Sequence, residues 1–201
     1  VINRSTFALY NTYFGFWDDF DLGNGGDNFT GCDVARNMGY GYCGHATNPD
    51  GSGSFAGEPG YHNDCPAVGV VFFQGPRADT SILNHSDSLA KYHYIKNGFI
   101  GMARFVWYNN DFSVQGNPTN QTSYYKYLTG FWQDGTHMTY GGNGYGGTTP
   151  CSYMFPWTPA GALGDPNAEN TDKNWYGTNG VPQGTKWDEV DANDAPYDRR
   201  F

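Results

Sequence analysis

Four stretches of this sequence have the alternation or the short apolar runs that predict β-strands. The second stretch places larger side chains at every other position, at Met38, Tyr40 and Tyr42, as a strand with one half-buried face does. The third is a short apolar run bounded by proline and glycine, which is typical of a strand that is buried on both faces. The predicted strands cover residues 6–17, 37–43, 66–76 and 98–111.

One stretch, residues 117–135, has the periodicity of an amphipathic helix. Tyr124, Leu128 and Phe131 are spaced i, i+4 and i+7, so a helix would place them on one face. Its predicted caps are Asn120 or Thr122 at the start and Gly135 at the end.

The remaining segments are rich in turn-forming residues. Residues 44–64 predict a loop, and glycine, proline and asparagine dominate from residue 136 onward. The pattern therefore predicts a mainly β fold: a β-sandwich-like, loop-rich domain with one or two short helices. We expect residues 1–201 to form one domain and to be a fragment of a longer multi-domain protein.

Composition narrows the class of protein. The chain has 201 residues and a formal net charge of −9. Hydrophobic residues make up 38% of the chain, and almost half of these are aromatic, at 18% of the chain. Such an acidic chain is a poor match for nucleic acid or an anionic membrane surface. No apolar run approaches the roughly 20 residues of a membrane span. Many aromatic and glycine residues with few leucines and lysines indicate a secreted or cell-surface β-rich protein with an aromatic core.

The four cysteines predict disulfides rather than a zinc site. None of them forms the CxxC pair of structural zinc sites. An even number in a chain of extracellular composition favours two disulfides, for which three connectivities exist. We predict Cys43–Cys65 as a local closure and Cys32–Cys151 as a long-range one, and the alternative is that the cysteines are buried thiols.

The segment DDFDLGNGGDNFTGCD, residues 18–33, gathers carboxylates around a glycine-rich turn with almost no positive charge nearby. Converging oxygen ligands separated by glycines are typical of calcium loops, although the EF-hand spacing is absent. The predicted Ca²⁺ ligands are Asp19, Asp21, Asn24, Asp27 and Asp33. The alternatives are a solvated acidic turn and glycoside hydrolysis, which needs two carboxylates about 5–9 Å apart.

Other chemistry has little support in the sequence. The GxSxG, Walker and HExxH patterns are absent, and the five histidines are scattered. Aromatic rings in loops rich in glycine and asparagine suit the C–H faces and hydroxyl edges of sugars. The candidate glycan-binding residues are Trp132, Tyr140, Tyr145, Trp157 and Trp175, and the alternative is that these rings form the core.

Five segments resemble, in the same order, a region of very large secreted surface proteins of Bacteroidota. They include WDDFDLGNGGDNFTGCDVARNMGYGYCG (17–44), PAVGVVFFQGP (66–76) and YYKYLTGFWQDGTHMTYGGNGYGG (124–147), followed by residues 151–157 and 191–201. The resemblance implies export by the type IX secretion route and a β-rich domain, and no assigned activity comes with it. Where those relatives have two adjacent acids, this chain has Asp27 and Asn28, which implies a weaker cation site there.

These observations together predict a non-catalytic, calcium-stabilised module that is secreted or held at the cell surface. Its expected role is adhesion, glycan contact or filament-like extracellular assembly. The expected partners are an extracellular glycan, a surface protein or copies of itself, with neither nucleic acid binding nor membrane insertion. The alternative is a secreted polysaccharide-active enzyme that uses paired carboxylates in an aromatic cleft.

Overall fold

A computed structural model describes residues 3–45, 47–78, 95–96, 98–156, 187, 189 and 196–201. These residues are mostly short strands and loops with one α-helix, so the prediction of a mainly β chain with few helices is confirmed. The two packed sheets of a sandwich stay a prediction. The elements are β1 (Asn28–Asp33), β2 (Met38–Cys43), β3 (Ala67–Val71), β4 (Ile95–Lys96), β5 (Phe99–Ile100), β6 (Tyr108–Asn109), α1 (Gln121–Thr129) and β7 (Arg199–Arg200), with 3-10 helices at Gly25–Asp27, Val34–Arg36 and Gly53–Phe55.

The largest sheet is antiparallel, with strand order β1-β2-β3. The middle strand, β2, confirms the strand predicted over 37–43, but its glycines rather than its tyrosines are the buried positions. A Cβ on Gly41 would lie 1.9 Å from the ring of Phe20, and one on Gly39 would lie 2.6 Å from the ring of Phe201. The glycines therefore leave room for aromatic rings to pack directly on the backbone of β2.

Three strand predictions need correction. Residues 6–17 form no strand, and their aromatic side chains are exposed. β3 confirms part of the strand predicted over 66–76, but it is not buried on both faces, because every second residue is exposed. In the described part of the chain it is an edge strand that pairs only with β2. The strand predicted over 98–111 exists only as β5 and β6, with irregular backbone between them.

The predicted helix is confirmed as α1, although it is shorter than the pattern indicated. Asn120 caps it through a capping box with Ser123, and Gly130, with φ of +89°, ends it before Gly135. Tyr127 is its large buried side chain, and Tyr124 is exposed. The buried face therefore differs from the one predicted. Among the described residues, no helix has the length and apolar character to cross a membrane.

The core is built mainly from aromatic rings, as the composition indicated. Trp107 packs edge-to-face on Trp132, with ring centres 6.2 Å apart, and stacks on Phe155 at 6.1 Å. Trp187 contacts the other side of this group, since its ring centre lies 5.0 Å from that of Phe155. Such pairs add stabilisation beyond the apolar area that they bury.

A buried ion pair lies beside this core. Glu189 and Arg199 are 0% and 2% exposed, and Arg199 Nε and Nη2 lie 2.8 Å and 2.7 Å from Glu189 Oε2. The second carboxylate oxygen accepts a hydrogen bond from the backbone N–H of Thr30 at 2.6 Å. The guanidinium lies 4.2 Å from the ring centre of Trp107, which adds a cation–π contact. Both charges are therefore well compensated inside the protein.

One of the two predicted disulfides is present. Cys43 and Cys65 are bonded, whereas Cys32 and Cys151 are buried thiols, so the predicted Cys32–Cys151 bond is wrong. The register explains the difference, because Cys32 pairs with Pro156 and not with the residues around Cys151. The backbone N–H of Cys151 donates instead to the backbone carbonyl of Met138.

Replacing Cys43 and Cys65 together by serine is expected to lower the free energy of unfolding by about 3 kcal/mol. The bond spans 22 residues, and opening a loop of that length restores about this much chain entropy to the unfolded state. Urea denaturation of the oxidised protein measures the loss. A reductant should destabilise the wild type to the same extent and leave the double variant unchanged; equal stability of the two oxidised proteins would contradict the expectation.

Candidate metal centre

Backbone hydrogen bonds join the acidic segment 18–33 to the last residues of the sequence. The N–H of Asp18 donates to the carbonyl of Phe201 at 2.7 Å, and the N–H of Phe201 donates to the carbonyl of Asp18 at 3.2 Å. This antiparallel contact continues as a bridge between Asp19 and Arg200. It brings the beginning of the acidic segment next to β7.

Three carboxylates meet at this junction. Asp19, Asp21 and Asp198 each offer one oxygen, and these oxygens all lie within 4.8 Å of one another. Phe20 is buried between two exposed aspartates, so the alternation of the chain turns Asp19 and Asp21 to the same side. We call Asp19, Asp21 and Asp198 the carboxylate cluster.

One oxygen of this cluster is buried without a hydrogen-bond donor. Asp198 is 8% exposed. Its Oδ2 accepts a hydrogen bond from Nδ2 of Asn110 at 2.6 Å, but its Oδ1 has no partner. A buried carboxylate oxygen without a donor is costly, and such atoms are uncommon in folded proteins. A cation between the carboxylates would satisfy it.

A second orphan acceptor lies close to the same segment. The amide nitrogen of Asn28 donates to the carbonyls of Phe20 and Gly25, at 3.3 Å and 2.8 Å. Its Oδ1 is buried and has no hydrogen-bond partner. The acidic segment therefore contains a buried acceptor without a partner in addition to that of Asp198.

Electrostatics at the cluster disfavour three ionised carboxylates. Burial raises the pKa of Asp21, and the charges of Asp198 and Asp19 raise it further. Burial also raises the pKa of Asp198, against the lowering effect of the hydrogen bond from Asn110. Arg200, whose Nη2 lies 2.8 Å from Asp19 Oδ2, lowers both pKa values but does not reverse either shift. The cluster is therefore short of positive charge.

A fourth acid, Glu58, adds negative charge next to the cluster. Glu58 accepts a hydrogen bond from the backbone N–H of Gly25 at 2.8 Å, and its charge contributes to the raised pKa of Asp21 and of Asp198. A Cβ on Gly25 would lie 2.7 Å from Asp21 Oδ1 and 3.3 Å from Glu58 Oε2, so both carboxylates border this glycine. When they are ionised, these four carboxylates and the guanidinium of Arg200 leave a net negative charge.

Two of the predicted calcium ligands are used elsewhere. Asn24 caps the 3-10 helix Gly25–Asp27 by accepting a hydrogen bond from the N–H of Gly26. Asp27 is buried, and its oxygens contact His45 and Nδ2 of Asn48. The Oδ1 of Asn24 and both oxygens of Asp27 therefore already have hydrogen-bond partners in the neighbouring turns.

Asp33 is also committed to a local contact. It caps the 3-10 helix Val34–Arg36 and forms an ion pair with Arg36. Of the five predicted ligands, Asp19 and Asp21 converge with Asp198, which the sequence reasoning missed. One signal could have pointed to Asp198: it directly precedes Arg199 and Arg200, which form β7, and Arg200 forms a bridge with Asp19 of the acidic segment.

The structure describes three of the five predicted glycan-binding aromatics, and these three differ in exposure. Trp132 is 0% exposed and donates its indole N–H to the carbonyl of Gly144, so its assignment as a ligand-binding residue is corrected to the core. Tyr140 is half-buried against Trp187. Tyr145 is exposed, and its hydroxyl donates to Asp134 at 2.7 Å. The predicted Trp157 and Trp175 lie outside the described residues.

Comparisons with known proteins give no match for this chain, whether against protein-family models, curated proteins or solved structures.

Proposed function

We propose that the protein is a non-catalytic extracellular module stabilised by Ca²⁺ at the carboxylate cluster. The observation that carries the proposal is the orphan oxygen of Asp198 within a group of three carboxylates. A bound cation would supply the missing partner of that oxygen. It would also offset the repulsion that, together with burial, raises the pKa of Asp21 and of Asp198.

The donor set favours a hard divalent cation. Ca²⁺ binds oxygen ligands at 2.3–2.6 Å, so two ligands on opposite sides of the ion lie about 4.8 Å apart, and the oxygens of the cluster lie no farther apart than this. The group contains neither histidine nor cysteine, the ligands that zinc prefers. Three carboxylates supply part of the six to eight ligands of Ca²⁺, and backbone carbonyls and water commonly supply the others.

The position of the cluster favours a structural role. A cation there would tie Asp19 and Asp21 to Asp198, and so hold the start of the acidic segment against β7. Metal binding of this kind adds its binding free energy to folding. The Cys43–Cys65 disulfide supports an oxidising location. We infer that the module is secreted or held at the cell surface, as the resemblance to exported Bacteroidota proteins implies, and contacts an extracellular glycan or surface protein.

Removing Ca²⁺ is expected to lower the melting temperature of the wild type by about 3–6 °C if the ion is present at ~10 times its Kd. The Asp198→Asn variant should lose most of this response, because it removes one charged ligand. Without Ca²⁺ the variant should be at least as stable as the wild type, since one of the repelling charges is gone. Calorimetry in EDTA and in millimolar Ca²⁺ measures all three effects.

The matched control is Asp64→Asn, which removes the same charge from an exposed position outside the cluster. This variant should respond to Ca²⁺ as the wild type does. A wild-type melting temperature that is the same in EDTA and in Ca²⁺ would refute the proposal, as would a full response in Asp198→Asn.

A polysaccharide-active enzyme is the second candidate, and the raised pKa values of Asp21 and Asp198 favour it. A carboxyl group with a raised pKa beside a second carboxyl group is the arrangement of a general acid with a nucleophile or base. This function predicts release of reducing sugar from a polysaccharide, with loss of that activity in Asp21→Asn. Hydrolysis together with a melting temperature independent of Ca²⁺ would select it over the structural role.

A further inference from the structure

Exposed aromatic rings gather on one part of the surface, away from the core. The segment 10–17 contributes most of them, and Tyr10 and Phe14 are 84% and 61% exposed. Residues 72–73, directly after β3, add Phe73 at 98% exposure, and residues 124–125 add two tyrosines of α1. We call the rings of residues 10–17, 72–73 and 124–125 the aromatic face.

The segment 10–17 contacts each of the other two parts of the aromatic face. The ring centre of Tyr13 lies 5.8 Å from that of Tyr125, and the ring centre of Phe16 lies 5.9 Å from that of Phe72. The segment therefore runs between α1 and the end of β3 and links the exposed rings of the two.

The size of this face exceeds what a monomer ordinarily exposes. With about 150–250 Å² for each large aromatic side chain, the exposed fractions amount to roughly 1,000 Å². The largest apolar patch of a typical monomer is about 300–600 Å², and each partner in a standard protein–protein interface buries about 800 Å². The area is thus sufficient for a stable dimer.

The backbone and charge of the segment also suit contact with another chain. Residues 8–17 make no backbone hydrogen bonds within the described part of the protein. Residues 5–17 contain no charged side chain, although the whole chain carries a net charge of −9. Two copies would repel each other over most of their surfaces, and this uncharged segment is where they can meet without placing like charges together.

We propose that the aromatic face joins two copies of this chain in a dimer. The same surface on each copy would pair with itself about a two-fold axis, which is the commonest arrangement of homodimers. Aromatic rings suit such a contact, because they bury large areas and are enriched at interface cores. The dimer proposal does not depend on the cation site. A dimer that persists in EDTA would show that dimerisation does not require a bound cation.

Sedimentation of the full chain tests this proposal. The wild type is expected to dimerise at micromolar concentrations, and the double variant Phe14→Ser with Phe73→Ser should raise the dissociation constant about tenfold or more. The single variant Phe73→Ser should show a smaller increase. Because both side chains are exposed, the melting temperature of each variant at low protein concentration should match that of the wild type.

The matched control is Phe112→Ser, which removes an 87% exposed ring outside the aromatic face and should leave the dissociation constant unchanged. The proposal is overturned if the wild type stays monomeric to about 100 μM, well above the micromolar range expected of a standard-size interface, or if the double variant dimerises as the wild type does. A monomeric wild type whose tryptophan fluorescence shifts on phosphatidylcholine vesicles would assign the face to a lipid surface instead.

Discussion

The Glu189→Ala variant is expected to unfold with a free energy about 3–5 kcal/mol lower than that of the wild type. The substitution removes the carboxylate of Glu189 that the buried guanidinium of Arg199, 2% exposed, contacts through Nε and Nη2. It also removes the acceptor of the Thr30 N–H on β1, so a buried backbone donor loses its hydrogen bond. Urea denaturation followed by circular dichroism measures the loss.

Two further variants separate the effect of losing the charge from the effect of losing the hydrogen bond. Glu189→Gln keeps an oxygen for the Thr30 N–H but not the negative charge, so its loss should be smaller than that of Glu189→Ala. Replacing both partners, with Glu189→Leu and Arg199→Met, should recover part of the stability, because no uncompensated charge is then buried. A loss below about 1 kcal/mol in Glu189→Ala, the size expected of an exposed ion pair, would contradict the buried pair as described.

The Trp132→Ala variant is expected to lose about 3–5 kcal/mol of unfolding free energy through the cavity that it creates. The Trp132 ring packs against Trp107 and Tyr127, with ring centres 6.2 Å and 5.9 Å away, and its N–H bonds the carbonyl of Gly144. Trp132→Phe should lose less, because it retains a ring. Chemical denaturation monitored by circular dichroism provides the measurement.

The control for this prediction is Phe112→Ala, since that ring is 87% exposed and its removal should change stability by less than about 0.5 kcal/mol. The comparison also tests the earlier interpretation of Trp132 as a sugar-binding ring. If Trp132→Ala were as stable as the wild type, the residue would not be the core side chain described above.

The features that could be predicted from the sequence are those determined by neighbouring residues. The alternation at residues 38–42 predicted β2, and the apolar spacing with Asn120 predicted α1. The Cys43–Cys65 bond was predictable because it closes a short segment rich in turn formers. In each case the determining signal lies within about 25 residues.

The features that were missed depend on partners far away in the sequence. β1 lies inside a segment whose glycines and acids indicated only a loop, and its pairing with β2 makes it a strand. Residues 6–17 have strand-forming composition, but no described strand pairs with them. The carboxylate cluster needs Asp198, and contacts distant in sequence, such as the backbone hydrogen bonds between Asp18 and Phe201, bring that residue to the acidic segment.

The contact between Asp18 and Phe201 also has a mechanical consequence. Two backbone hydrogen bonds and the Asp19–Arg200 ion pair hold these positions together. A force that pulled the two positions apart would therefore load these bonds before it reached the aromatic core. Calcium bound at the neighbouring carboxylates would then raise the tension at which the protein begins to unravel.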